Sequence, residues 1–158
     1  VIVNAELRHR IADFHAAYAA CLDHGRLDDW PDFFTEDASY RITARENFDR
    51  DLPLSTLSLR GHGMMRDRLY GVQSTIFHAP YYQRHILGPS LITALSDDTV
   101  ACETNYLVVR TKRDMPAELF NVGVYRDVIR VSETDLKFTQ RVCVFDNDLI
   151  PNSIIYPI

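Results

Sequence analysis

Over the first twenty-odd positions apolar residues recur at steps of three and four: Leu7, Ile11, Phe14, Tyr18, Cys21 and Leu22. That period lays them along one face of an amphipathic helix, predicted from about Ala5 to His24. Ala12, Ala16, Ala17, Ala19 and Ala20 favour helix and permit close packing. Asn4 is placed to cap the start, and Gly25 to take the left-handed position after the end. Asp28 is placed to cap a second, short helix carrying Trp30, Phe33 and Phe34. From Ser39 the pattern alternates. Tyr40, Ile42 and Ala44 fall on one side of a strand, and Arg41, Thr43 and Arg45 on the other. A charged loop, Glu46 to Asp51, then ends at Pro53. Leu57 and Leu59 mark another short extended piece. Met64, Met65, Leu69 and Val72 mark a third helix, weakened by Gly63 and Gly71.

The second half is strand-rich, with strands predicted at about Tyr82–Leu87, Thr99–Arg113, Glu118–Val131 and Leu136–Asp146. The segments Ser96-Asp97-Asp98, Arg113-Asp114-Met115-Pro116 and Ser132-Glu133-Thr134-Asp135 are read as turns. Short turns make the last three strands antiparallel neighbours. Helices first and a strand meander afterwards define an α+β class. The expected architecture is a cone: a curved antiparallel sheet packed on the N-terminal helices. No repeat, low-complexity segment or linker divides residues 1–158, so one domain is expected.

Composition narrows the function classes. The net charge is −5, which gives no support to a nucleic-acid partner. No apolar run approaches the length of a membrane span. The first residues, Val1-Ile2-Val3-Asn4, have no charged region and no long apolar core, unlike a signal peptide. Cys21, Cys102 and Cys143 are odd in number and widely spaced, which points away from a disulfide framework and towards a reducing, cytoplasmic compartment. Fifteen of the seventeen basic residues are Arg, the better residue for planar, bidentate pairing at interfaces.

The search for chemistry yields little. His9 and His15 are six positions apart, on different sides of the first helix, and His78 and His85 are separated by Pro80. No His-x-x-x-His pair exists, nor a His pair with a carboxylate spaced for a facial triad. Cys21-x-x-His24 has no matching second pair, as a zinc or Rieske-type site would need. No Gly-x-Ser-x-Gly elbow is present, and Gly61-His62-Gly63 lacks the rest of a phosphate-binding fingerprint. Cys102 and Cys143 fall in predicted strands, where thiols are usually buried and inert. No catalytic, cofactor-binding or metal-binding residue is therefore assigned.

One constellation has a second reading. In a cone, Tyr18, Tyr40, Asp23, His85 and Tyr106 can point into a common pocket, and a His with a carboxylate and tyrosines can move protons. The alternative is that the tyrosines are core aromatics and His85 a structural hydrogen-bonder. Arg41, Arg84, Arg126, Arg130 and Arg141 lie on predicted strands, where their charges must reach water or a partner. The tail Ile154-Ile155-Tyr156-Pro157-Ile158 is too apolar to stay free and must dock on the core or on a neighbour.

Several segments together resemble a known family. They are Phe14-His15-Ala16-Ala17-Tyr18-Ala19, Asp29-Trp30-Pro31-Asp32-Phe33-Phe34-Thr35-Glu36-Asp37, Tyr40-Arg41-Ile42-Thr43, Met65-Arg66-Asp67-Arg68-Leu69, Tyr82-Gln83-Arg84-His85-Ile86-Leu87-Gly88 and Gln140-Arg141-Val142-Cys143-Val144-Phe145-Asp146. In order and spacing they resemble the small (beta) subunit of aromatic ring-hydroxylating dioxygenases, in the branch acting on aromatic carboxylates such as terephthalate, salicylate or halobenzoates. The resemblance spans nearly the whole chain. It implies a nuclear-transport-factor-2-like (cystatin-like) cone, shared with ketosteroid isomerases and scytalone dehydratase. It implies a trimer of small subunits docked on a trimer of large (alpha) subunits. The large subunit would carry the Rieske iron-sulfur cluster, the mononuclear non-heme iron and the substrate pocket. The small subunit would then be structural. The alternative function is a stand-alone dehydratase or isomerase of the same fold, using His85 with a carboxylate.

Overall fold

The computed structural model describes residues 3–150 and 153–158; Val1 and Ile2, in the segment weighed as a signal peptide, lie outside them. Helix α1 spans Ala5–Asp23. Asn4 caps it as expected, accepting from the Leu7 N–H at 2.8 Å, and Gly25 follows at φ +69°. The second helix is a 3₁₀ segment, Leu27–Phe33. Asp28 does not cap it: its carboxylate accepts instead from Gln73 Nε2 at 3.0 Å. Strand β1 begins at Phe34, earlier than the alternation indicates, and runs to Ala44. The expected charged loop contains a helical turn, α2 (Arg45–Asp49). Strand β2 (Leu57–Arg60) and helix α3 (Gly61–Tyr70) follow, the latter extended by a π turn over Gly71–Thr75.

The remaining strands are β3 (Tyr81–Leu87), β4 (Leu91–Leu95), β5 (Thr99–Lys112), β6 (Glu118–Val131) and β7 (Leu136–Phe145). Strand β4 has no sequence expectation, because Leu91-Ile92-Thr93-Ala94-Leu95 is too exposed to show alternation. The sheet order is β2-β1-β7-β6-β5-β3. Strands β3 and β4 pair with successive parts of β5, meeting Tyr106–Lys112 and Val100–Glu103 respectively. The meander β5-β6-β7 is antiparallel, as short turns require. The β1–β7 pair is parallel, so the sheet is mixed. More than half of the chain separates these two strands, so no hairpin constrains their direction.

Helix α1 lays Leu7, Ile11, Tyr18, Cys21 and Leu22 on the inner face of the sheet, in one core with Tyr40, Ile42, Val108, Tyr125, Ile129 and Phe138. Trp30 is fully buried and Phe34 nearly so, while Phe33 is partly buried. Trp30 packs edge-on against Tyr40, with centroids 5.0 Å apart. Such a pair adds about 0.5–1.5 kcal/mol beyond the area it buries. Gly123 on β6 allows close approach to β7: a Cβ there would sit 1.9 Å from the Val144 carbonyl oxygen. On the outer face the segment after β1 folds back. Arg126 lies over the Phe48 ring, 5.0 Å from its centroid, and Thr43 Oγ1 donates to the Leu54 carbonyl.

Candidate functional site

The inside of the cone is where this architecture concentrates chemistry, and here the tail fills it. Ile158 is fully buried, and its main-chain oxygen accepts from the hydroxyls of Tyr18 (3.0 Å) and Tyr40 (2.9 Å). The Tyr40 hydroxyl also accepts from the Ile158 N–H at 3.0 Å. Trp30 Nε1 donates to the Tyr18 oxygen at 3.1 Å, which orients that hydroxyl towards the tail. Gln83 Nε2 donates to the Pro157 carbonyl, and Arg68 Nη2 to those of Ile154 and Ile155. The apolar tail therefore docks on its own subunit. Burial raises the pKa of both tyrosines, so each keeps its proton and donates.

The five residues of the expected constellation do not form one site. Tyr18 and Tyr40 hold the tail. Tyr106 donates to Asn121 Oδ1 at 2.6 Å and stacks on Tyr125, 4.1 Å between centroids. Asp23 and His85 pair with each other, Nδ1 to Oδ1 at 2.6 Å, and Asp23 also accepts from the His85 backbone N–H. This pair fastens the end of α1 to β3. It lies beside an open groove of about 480 Å³ that includes Ala16, Ala20 and Arg84. Arg84 projects to solvent within 3.8 Å of Asp23.

A buried network that the sequence did not single out joins α1 to the sheet. Arg141 and Asp127 sit opposite each other on β7 and β6, both fully buried, with Nε–Oδ1 at 2.8 Å and Nη2–Oδ2 at 2.7 Å. The guanidinium is enclosed by the rings of Tyr18, Tyr125 and Phe138, at 4.0–4.2 Å from their centroids. Arg141 therefore finds its partner inside its own chain, not at an interface. His15 Nε2 donates to Asp127 Oδ2 at 3.0 Å. Its Nδ1 accepts from the Ser90 hydroxyl at 2.9 Å, and that hydroxyl accepts in turn from Thr104. Burial lowers the His15 pKa more than Asp127 raises it, so the ring is neutral. Burial alone would raise the Asp127 pKa, but the charge and hydrogen bonds of Arg141 outweigh it and hold the carboxyl below its usual range.

Ser90, His15 and Asp127 have the connectivity of a nucleophile, base and carboxylate. Here, however, both Asp127 oxygens are clamped by a guanidinium, and His15 is buried. The network is built to fasten elements together. Cys102 completes a cluster with His15 and Asp127, their ligand-type atoms lying within 4.8 Å of one another. The adjacent guanidinium opposes a cation there, because Arg141 already neutralises the only carboxylate of the cluster. One signal for His15 was present: it falls on the stripe Leu7, Ile11, His15, Tyr18, Leu22, where a polar residue needs a buried partner.

This geometry defines a class: a helix-backed cone of the nuclear-transport-factor-2 type, its interior closed by the protein's own tail. The SnoaL-like domain model matches residues 3–142, and the chain belongs to that family. Over 96% of its length it superposes, with a TM-score of 0.88 and 33% identity, on 97% of the β subunit of a candidate aromatic-ring-hydroxylating dioxygenase from Novosphingobium aromaticivorans. It is 28% identical over 141 residues to the anthranilate 1,2-dioxygenase small subunit of Burkholderia cepacia, covering 89% of this chain and 88% of that one. It is also 28% identical over 149 residues to subunit beta 2 of the terephthalate 1,2-dioxygenase terminal oxygenase component of a Comamonas species, covering 94% and 97%. Its homologues are thus subunits of dioxygenases, as the residue pattern implies. Among the described residues no helix is long and apolar enough to cross a membrane.

Proposed function

We propose that residues 1–158 form the structural β subunit of a multicomponent aromatic ring-hydroxylating oxygenase acting on an aromatic carboxylate. The observation that carries this reading is the full-length likeness to a dioxygenase β subunit, at 33% identity over 96% of the chain. The partner is a large α subunit that holds the Rieske cluster and the non-heme iron. The chain self-associates as a trimer within a cytoplasmic heterohexamer, and it lends no catalytic, cofactor or metal ligand of its own. Two features support this. The cone interior is taken up by residues 154–158. The outer face of the sheet exposes Tyr82, Ile86, Leu91 and Leu119, an apolar surface suited to subunit contact. Neither membrane nor nucleic acid enters this reading.

The stand-alone isomerase or dehydratase reading is weaker on the same geometry. His85 spends Nδ1 on Asp23, and Nε2 is buried with no partner among the described residues. The deciding experiment is co-expression with a large (alpha) subunit of a ring-hydroxylating oxygenase from the same source, followed by light scattering and iron analysis. An iron-bearing complex with equal numbers of both chains is expected, with this chain alone iron-free. A stable monomer that ignores the large chain would overturn the proposal.

A further inference from the structure

Two open grooves, of about 490 and 480 Å³, lie at the junction of α1 with β3 and share Asp23, His24 and Arg84. Each is lined by a β3 side chain that holds an unused acceptor. Gln83 donates from Nε2 to Pro157, which leaves its Oε1 with no partner among the described residues. His85 donates from Nδ1 to Asp23, which leaves the Nε2 lone pair in the same state. Gln83 is 4% exposed and His85 8%, a depth at which polar groups are normally paired. The Asp23 carboxylate, common to both grooves, is buried as well. Besides His85, its one ion-pair partner among the described residues is Arg84, 3.8 Å away and 65% exposed, where solvent screens the charge. Asp127, by contrast, is clamped by a buried guanidinium. Helix α1 ends beside Asp23 with no basic residue in its last turn, so its dipole adds negative potential. Tyr81, Tyr82 and Tyr156 line the first groove. A buried carboxylate, a helix C-terminus, two spare acceptors and tyrosine rings together recognise a cation rich in N–H donors, which is the chemistry of a guanidinium.

The same chain carries the complement. Arg8, Arg60, Arg66 and Arg130 are exposed, and their side chains make no ion pair or hydrogen bond among the described residues. We propose that the α1–β3 junction is a docking site for an arginine side chain of a second copy of this chain, one of these four supplying the donors that Gln83, Asp23 and His85 lack. Such a contact joins two different faces of the subunit, and contacts of that kind close into rings. The inference rests on the self-association in the proposed function and not on the large subunit.

Sedimentation of the full chain on dilution measures its self-association. Asp23→Asn keeps the shape and removes the charge, and it should weaken association at least tenfold, with a smaller effect at high salt. Changing the four arginines to Gln one at a time should single out one variant with a similar loss. Combining that variant with Asp23→Asn should add no further loss, because both changes remove one interaction. A second measurement uses the wild-type chain and stands even if Asp23→Asn fails to fold. N-acetyl-arginine amide should promote dissociation and shift the His85 Nε2 resonance in ¹⁵N spectra, whereas its neutral isostere, N-acetyl-citrulline amide, should do neither. A trimer untouched by Asp23→Asn overturns the inference and leaves the proposed subunit role standing. Arginine losses that all add to that of Asp23→Asn, or equal effects of the two amides, do the same. So does a chain that is monomeric alone yet joins the large subunit. A monomer that ignores the large subunit overturns both readings.

Discussion

Arg141 grips Asp127 through two parallel hydrogen bonds, with neither side chain reaching solvent. Removing one partner strands the other charge in the core. Asp127→Ala or Arg141→Ala should therefore cost about 3–5 kcal/mol. Replacing both by apolar residues of similar volume, Asp127→Leu with Arg141→Met, should recover most of that loss. Urea unfolding of the two single variants and the double variant measures this. A double variant no more stable than either single one would contradict it.

The same network makes stability fall with acidity, in two windows. His15 is held neutral, with its pKa below the ordinary 6.5. Between that value and the lowered one, the unfolded chain binds more protons than the folded chain, so stability declines as pH drops below about 6.5. Asp127 has its pKa held below the ordinary 3.8. Its contribution is complete above that value and is lost as pH falls further. Denaturant midpoints measured from pH 8 to pH 3 should show both declines, and His15→Gln should remove the upper one. A wild-type midpoint that stays flat between pH 7 and pH 5 would rule out a buried neutral His15.

The sequence made some of this legible and hid the rest for physical reasons. Helix α1 was readable because its apolar stripe is continuous and its cap and terminal glycine are local signals. The ends of β5, β6 and β7 were readable because turn residues bracket long alternating runs. The inward aim of Arg141 was not. Counting by twos from buried Phe138 puts Gln140 and Val142 inside, but the register slips between Val128 and Ile129 on the facing strand. Arg141, Cys143 and Phe145 face the core instead, and a bulge leaves no mark in a single sequence. The parallel β1–β7 pair and the tail's seat in the cone were hidden as well, because both depend on contacts between distant parts of the chain.

Gly123 tests how closely β6 and β7 approach. A methyl group there would meet the Val144 carbonyl at 1.9 Å and Phe145 Cα at 2.8 Å, both on backbone that cannot swing away. Gly123→Ala should cost about 3 kcal/mol or leave the chain insoluble, at the upper end of overpacking penalties. Gly63→Ala, where a Cβ meets nothing within 4 Å, is the control and should be neutral or slightly stabilising. Equal melting temperatures for the two variants would refute the close contact.

Trp30 carries two separable loads. Its ring fills the space between the 3₁₀ segment and β1, and its Nε1 orients the Tyr18 hydroxyl. Trp30→Ala should lose about 3–5 kcal/mol. Trp30→Phe keeps most of the packing but leaves the Tyr18 oxygen without its donor, so it should lose less than Trp30→Ala. Thermal melts of both variants decide, and a Trp30→Ala variant with an unchanged melting temperature would show that the residue bears no packing load.

His85 separates structure from catalysis most directly. Its ring nitrogen and its backbone N–H both donate to Asp23, tying α1 to β3. His85→Ala keeps the backbone bond and removes the ring, so it should cost about 1.5–3 kcal/mol, as expected for a hydrogen bond to a charged group. If the chain is a structural subunit, an oxygenase assembled with this variant should turn over its aromatic substrate within twofold of wild type once saturated with the variant subunit. If His85 were a general base in the cone, a stand-alone activity would fall by about 10²-fold or more, the usual contribution of a positioned base. Melting temperature and turnover measured on the same assembled sample distinguish the outcomes. A stable complex with turnover reduced tenfold or more would return His85 to the catalytic machinery and overturn the structural reading.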